Sequence, residues 1–366
     1  MKIVLKQKQI LPEIKISFKQ LFIISLYAIS TILIVQLTEV KTPHKKKEMM
    51  LIAANKMVEA ENILSKYRIT NNIKIDLQHD PLLSGFIGIE FSPITTTLGD
   101  LQAKQTSTNP DFAALFVRWF DELELKKGDK IIIHLSGSFP ALSIASIIAS
   151  EVYGLTPIII SSIGASSFGA NIPSLTYWDI ETLLFSKNII HHKTIYATPG
   201  GQDDNGSSFW ENGFEIMLNA AKKNSLHINT PSNLSEAITK KLEFINSQKP
   251  FKLFINIGGN QAALGIIPCS MQLPHGLIKN ILKCNCPSDC FGLIHIINRN
   301  KTPIIHILNI KDLALENGID LTPYKNYKLG ESDLYFTKKK SRLIITLLLI
   351  VLVASIVYIT IYKKLD

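Results

Sequence analysis

The sequence predicts an α/β fold: a doubly wound, mostly parallel sheet flanked by one N-terminal and one C-terminal transmembrane helix. Three observations predict it. Short, continuously apolar strands alternate with helical patterns across the middle of the chain, as in a parallel sheet covered on both faces. Most of these strands run into loops of Ser, Thr, Gly and Asn. Finally, Leu21–Leu37 and Leu343–Tyr362 are apolar runs without a charge, each of a length that suits a membrane span.

These patterns divide the chain into a basic tail (1–19), a transmembrane helix (20–38), a helical stalk or lead-in (39–70), an α/β body (71–337), a second transmembrane helix (343–362) and a short tail (363–366). No small-x-small cleavage site follows the first apolar run, so an uncleaved anchor is expected rather than a signal peptide.

Each element has its own local reason. Leu51, Ala54, Val58, Ile63 and Tyr67 recur at roughly helical spacing over Glu48–Tyr67. Phe86–Phe91 is short and apolar and reads as a strand, ending in the hydroxyl-rich loop Ser92–Asp100. Asn109-Pro110-Asp111 opens a helix, with Asn as cap and Pro in the first turn; Lys126-Lys127-Gly128 stops it. Ile131–Leu135 and Pro157–Ile160 are strand cores, and Pro140 opens the helix between them. A helix over Thr176–Phe185, a strand over Thr194–Thr198, and helices over 208–223 and 232–247 follow. Phe251–Ile257 and Ile304–Leu308 read as further strands, with a last helix over Lys311–Asn317.

Charge excludes one class of partner. The chain is +9, but residues 1–47 carry +7 and residues 338–366 carry +5, leaving the body at −3. Lysines beside apolar runs suit anionic headgroups, and the body shows no basic stripe with interleaved aromatics, so no nucleic acid is expected. Basic residues flank both sides of the two apolar runs almost equally. Long domains translocate largely regardless of charge, and a lysine-rich start stays inside. The body is therefore expected to be extracytoplasmic.

Ligands of a doubly wound sheet bind outside the carboxyl ends of its strands. Four such ends carry polar or glycine-rich loops, 136–138, 161–171, 199–206 and 258–261, and with the threonine loop after Glu90 they raise the expectation of a shared pocket. The candidate ligand-binding residues are Thr95, Thr96 and Thr97; Ser136, Gly137 and Ser138; Ser161, Ser162, Ser166 and Asn171; and Gly258, Gly259 and Asn260. The catalytic candidates are Ser136, Ser166, Asp203 and Asp204. A serine could act as nucleophile, although neither sits in a G-x-S-x-G elbow. The Asp203-Asp204 pair could act as general base or hold a cation, or simply form an Asx turn. Tight strand-to-helix turns need Gly and Ser in any case. No Walker loop, H-E-x-x-H or G-x-G-x-x-G occurs, and no cofactor or metal is assigned. Cys269, Cys284, Cys286 and Cys290 do not form a paired C-x₂-C signature. Local disulfides, free thiols and a metal site with His275 or His295 all stay open.

Several blocks together resemble a known family. They are Ser92–Gly99 with Ala103-Lys104, Thr106-Ser107 and Asn109–Ala114; Gly137–Leu142; Ser161–Asn171; Gly258-Gly259 with Ala262–Gly265; and Pro303–Ile310. The chain is similar over roughly residues 50–330 to the poly-gamma-glutamate system protein family, found with the ligase and membrane components that make and export poly-γ-glutamate. Phe168 stands where that pattern has Trp, and the cysteine cluster is no part of it. The resemblance implies an accessory component of polymer synthesis or export in the bacterial inner (cytoplasmic) membrane, with a capsule or released-polymer role. Its expected partners are the synthase and export membrane components, and the polymer itself. A scaffold or polymer- and anion-binding module is the first expectation; a membrane-anchored hydrolase or transferase acting on the γ-glutamyl polymer is the alternative. The family brings no catalytic residues with it.

Overall fold

The computed structural model describes residues 17–37, 39–285, 287–321 and 328–362. Most of the basic tail, Cys286 and the C-terminal tail therefore lie outside the described residues. The chain forms two units, His44–Tyr335 and the paired ends Met1–Pro43 with Phe336–Asp366.

The larger unit is α/β and built on a mixed six-stranded sheet. In chain order its strands are β1 (Lys130–Ser136), β2 (Thr156–Ser162), β3 (Thr194–Thr198), β4 (Leu253–Ile257), β5 (Gly276–Ile278) and β6 (Ile304–Ile307). In space they run β5-β6-β4-β1-β2-β3. All neighbouring pairs are parallel except β5 with β6, so the antiparallel strand sits at an edge. Ile131, Ile132 and Ile133 are all fully buried. Successive strand residues face opposite ways, so this sheet is covered on both faces. On one face Ile132, Ile160, Phe254 and Ile304 pack with Ile245, Leu293 and Ile297 of two helices. On the other, the helix Pro140–Tyr153 lies against β1 and β2 and packs on Asp111–Glu122 and Lys47–Thr70.

Local signals set most boundaries. Asn109 Oδ1 accepts from the Asp111 amide at 3.0 Å, opening Asp111–Glu122. Asn233 is the N-cap of Leu234–Ser247, its Oδ1 accepting from the Glu236 amide at 3.0 Å. Gly154, at φ 86°, closes Pro140–Tyr153 in the left-handed conformation that a side chain would disfavour.

The lead-in helix belongs to the body. Lys47–Thr70 buries Met50, Ala53, Ala54, Met57, Ala60 and Leu64; of the expected stripe Ala54 is buried, whereas Leu51, Val58, Ile63 and Tyr67 are half-buried beside it. Its alanines let the neighbouring helices approach closely. Phe86–Phe91 is not a strand: its backbone bonds to the Phe168 backbone and to the Arg68 and Asn171 side chains. Asn171 Oδ1 accepts from the Ile89 amide at 2.9 Å, and Asn171 Nδ2 donates to the Ile89 carbonyl at 2.7 Å and to Thr95 Oγ1 at 2.9 Å. Asn171→Ala removes all three bonds from a fully buried position. It is expected to lower stability by about 1–3 kcal/mol, read as a fall in the urea midpoint at unchanged slope.

The smaller unit pairs Glu39–Pro43 antiparallel with Phe336–Lys340. Its helices Phe18–Leu37 and Arg342–Tyr362 meet where the Tyr27 hydroxyl donates to the Leu348 carbonyl at 3.3 Å. The expectation of two transmembrane helices, and with it the two-span inner-membrane location, is corrected here. Among the described residues no helix is long and apolar enough to cross a membrane.

Candidate active site

Winding outwards from β1 through β2 to β3, the chain then returns to lay β4 and β6 on the other side of β1. That reversal leaves a crevice at the carboxyl ends of β1 and β4, where ligands of such sheets bind. A cavity of about 600 Å³ opens there. Of the residues singled out from sequence, Thr96, Thr97, Ser136, Ser138, Ser162, Ser166, Gly259 and Asn260 line it. The loop after β3 adds Gly201 and Gln202, and the one after β6 adds Leu308 and Asn309.

The other five singled-out residues do not line the cavity. Thr95 Oγ1 accepts from Ser92 and Asn171. Ser161 is bonded to Thr194 at 2.8 Å and accepts from the Trp178 indole at 2.8 Å. Asn171 holds Ile89, as above. Gly137 and Gly258 serve by lacking a side chain. A Cβ on Gly137 would sit 2.7 Å from the Ile163 carbonyl oxygen, and one on Gly258 would sit 2.5 Å from Ser136 Oγ.

The most reactive arrangement in the cavity centres on Lys104. Asp100 caps the short helix Leu101–Ser107 by accepting from the Ala103 amide at 2.7 Å. That helix turns Lys104 inward until it is 1 % exposed. Its Nζ donates to Ser166 Oγ at 2.6 Å and to the Ser138 carbonyl, and sits 3.8 Å from the centre of the Phe139 ring. Among the described residues no carboxylate is bonded to it. Burial in this apolar and hydroxyl setting lowers its pKa to about 7. Ser166 is held in turn, its amide donating to Ser138 Oγ at 3.1 Å. The helix starting at Pro140 has no side-chain cap, so its positive dipole end lies next in sequence to Ser138 and Phe139. At the rim, Lys311 pairs with Asp100 at 3.2 Å.

The remaining catalytic candidates are placed differently. Ser136 Oγ accepts only a long contact, 3.4 Å, from the Ser138 amide. Asp203 and Asp204 differ in burial and in partners. Asp203 is half-buried and its amide donates to Gln261 Oε1 at 2.8 Å. Asp204 is fully buried and pairs with Lys241 at 2.6 Å. It also accepts from Asn260 at 2.8 Å and Thr198 at 3.1 Å. Lys241 Nζ lies 3.0 Å from His134 Nε2, whose Nδ1 meets Asn256 Oδ1 at 2.9 Å. Burial, then the Lys241 charge, push the His134 pKa well down, so its imidazole is neutral. His134 is thus part of a buried polar chain behind the cavity, and no partner of either serine.

Sequence reasoning passed over both lysines as functional groups. Lys241 did carry a signal: Ala237, Lys241 and Ile245 share the buried stripe of the helix Leu234–Ser247, an unusual place for a charge. Lys104 carried none of its own, because its surroundings are made by distant residues, Ser138, Phe139 and Ser166. No family model, curated protein or solved structure matches the chain, so the chemistry of the site rests on this geometry.

Proposed function

We propose that the cavity is the active site of an amide hydrolase or acyl transferase, with Ser166 as nucleophile and Lys104 as its general base. The observation that carries this reading is the 2.6 Å contact between Ser166 Oγ and an amine whose pKa burial lowers to about 7. At neutral pH much of that amine is unprotonated and can accept a proton, which an ordinary lysine cannot. As Ser166 Oγ attacks an acyl carbon, its proton passes to Lys104 Nζ. The resulting ammonium then gives that proton to the leaving amine, leaving an acyl-serine. Water, or a second amine, resolves the acyl-serine by the reverse proton path. Thr96, Thr97, Ser162 and Asn260 supply hydrogen bonds around the acyl group.

The pathway context rests on the sequence resemblance: an accessory role beside poly-γ-glutamate synthase and export components, with the γ-glutamyl amide as the bond acted upon. The same hydroxyl-lined cavity also serves the scaffold reading, in which it receives γ-glutamyl carboxylates without chemistry. One experiment separates the two. The full chain is incubated with poly-γ-glutamate, and polymer length and new amino termini are followed. Shortening or transfer that disappears in Ser166→Ala supports the enzyme. Binding with no new termini removes the hydrolase reading and leaves the scaffold.

A further inference from the structure

A second cluster of reactive side chains lies outside the cavity lining. Gly265 bridges to Phe291, and the Ile266 amide donates to the Cys290 carbonyl at 3.1 Å. These bonds bring the segment ending at Cys269 against the start of the helix Leu293–Arg299. Cys269 is fully buried and Cys290 nearly so. Cys269 Sγ lies 3.6 Å from Cys284 Sγ. Burial, then the nearby Cys290 thiol, which donates to the Ile267 carbonyl at 3.9 Å, raise the Cys269 pKa. His295 is 3 % exposed and stacks on Phe291 at 4.8 Å. Among the described residues its buried Nδ1 has no hydrogen-bond partner. One donor atom from each of Cys269, Cys284 and His295 lies within 4.8 Å of the other two.

These spacings have a chemical meaning. Four ligands placed tetrahedrally about a zinc ion, with Zn–S about 2.3 Å and Zn–N about 2.0–2.1 Å, lie about 3.5–3.8 Å apart. The sulfur pair is already at that separation, and the orphaned imidazole nitrogen is the kind of buried polar atom that calls for an explanation. In this structure Cys284 is disulfide-bonded, whereas Cys269 and Cys290 are free thiols.

We propose that the reduced chain binds one soft divalent cation of the zinc class through Cys269, Cys284, Cys290 and His295, and that the disulfide at Cys284 and the bound metal are alternative states. Two electrons and two protons from a thiol or phosphine reductant open the disulfide to two thiols. Metal binding then displaces the protons of the three coordinating thiols, since the ligand is the thiolate. The three-sulfur, one-nitrogen set matches closed structural sites. It ties down the segment that follows Asn260 and Gln261, both of which line the cavity.

The test uses the full chain, reduced with a phosphine under anaerobic conditions and titrated with Co²⁺ alone, followed by displacement with Zn²⁺. One equivalent is expected, with the strong ligand-field and sulfur-to-metal bands of a tetrahedral thiolate site, and no uptake by the oxidised chain. Cys269→Ser and His295→Ala are each expected to weaken binding by more than about tenfold, since even outer-shell partners of metal ligands are worth that much. Cys284→Ser, at a partly exposed position, does the same and provides a variant that does not disturb the core. Cys290→Ser should reduce the sulfur-to-metal intensity. A reduced chain that takes up no Co²⁺ overturns the proposal. So does uptake with affinity and spectrum unchanged in the Cys284→Ser and His295→Ala chains.

Discussion

Ser166→Ala and Lys104→Met are each expected to lower the rate of amide cleavage or transfer by about 10²–10⁴-fold, the range for loss of a positioned acid–base partner. KM should change much less, because neither group is asked to bind the ground state. In the wild type kcat should rise as pH rises through about 7 and then level off, because only unprotonated Lys104 can accept the Ser166 proton. Lys104→Arg should not rescue, since a guanidinium stays charged across that range. An independent readout comes from stability. The folded pKa of Lys104 is depressed, so between about 7 and its ordinary value the unfolded chain binds more protons. The cost of burying the charge is fully present below about 7 and fades as pH rises. The wild type should therefore gain stability with pH across that window, and Lys104→Met should lose that part of the slope. Urea midpoints measured from pH 6 to 10 check this. An activity profile that is flat through pH 7, with full activity in Lys104→Met, would remove Lys104 from the mechanism.

The second large effect is expected behind the cavity. Lys241 and Asp204 are 1 % and 0 % exposed and 2.6 Å apart. Burial lowers the Lys241 pKa, and the Asp204 carboxylate works against that shift. Lys241→Met strands a buried carboxylate without its counter-charge and should destabilise the fold by about 3–5 kcal/mol. The double change Lys241→Met, Asp204→Leu should lose less than the single one, because no buried charge is left unmatched. Denaturant midpoints of the four chains in the cycle give the coupling directly. A single variant within about 1 kcal/mol of wild type would show that water reaches Asp204. Because Asp204 also accepts from Asn260, the single variant should loosen that lining residue and reduce turnover even where the chain remains folded.

Five of the six sheet strands were legible because each is a short, mostly apolar run bounded by turn residues; the edge strand Gly276–Ile278, only three residues long and opening on a glycine, was missed. Ile131–Leu135 became Lys130–Ser136, and Thr194–Thr198 is unchanged. Helix starts were legible where an Asn or Pro marked them, as at Asn109, Pro140 and Asn233. Phe86–Phe91 misled because an apolar run says nothing about what answers its amides. Here the Asn171 side chain, 82 positions further on, answers those of Ile89. The lead-in helix was legible as a helix but only in part in its buried face, since small alanines face inward and larger residues such as Ile52 face out.

By itself the sequence determined the alternation of strands and helices, the loops at the carboxyl ends of the strands, and Ser166 as one nucleophile among several. Only the tertiary structure decided which side chains meet. It joined the loops around one cavity and placed Lys104 against Ser166. It also committed Asp204 to Lys241, and set Cys269, Cys284 and His295 within ligand distance of one another. The physical reason is that periodicity and capping act over a few residues, whereas a lysine becomes a base only when distant segments exclude water from it. The Lys104–Ser166 contact spans 62 positions and the Lys241–His134 contact 107. No local pattern carries information over such separations.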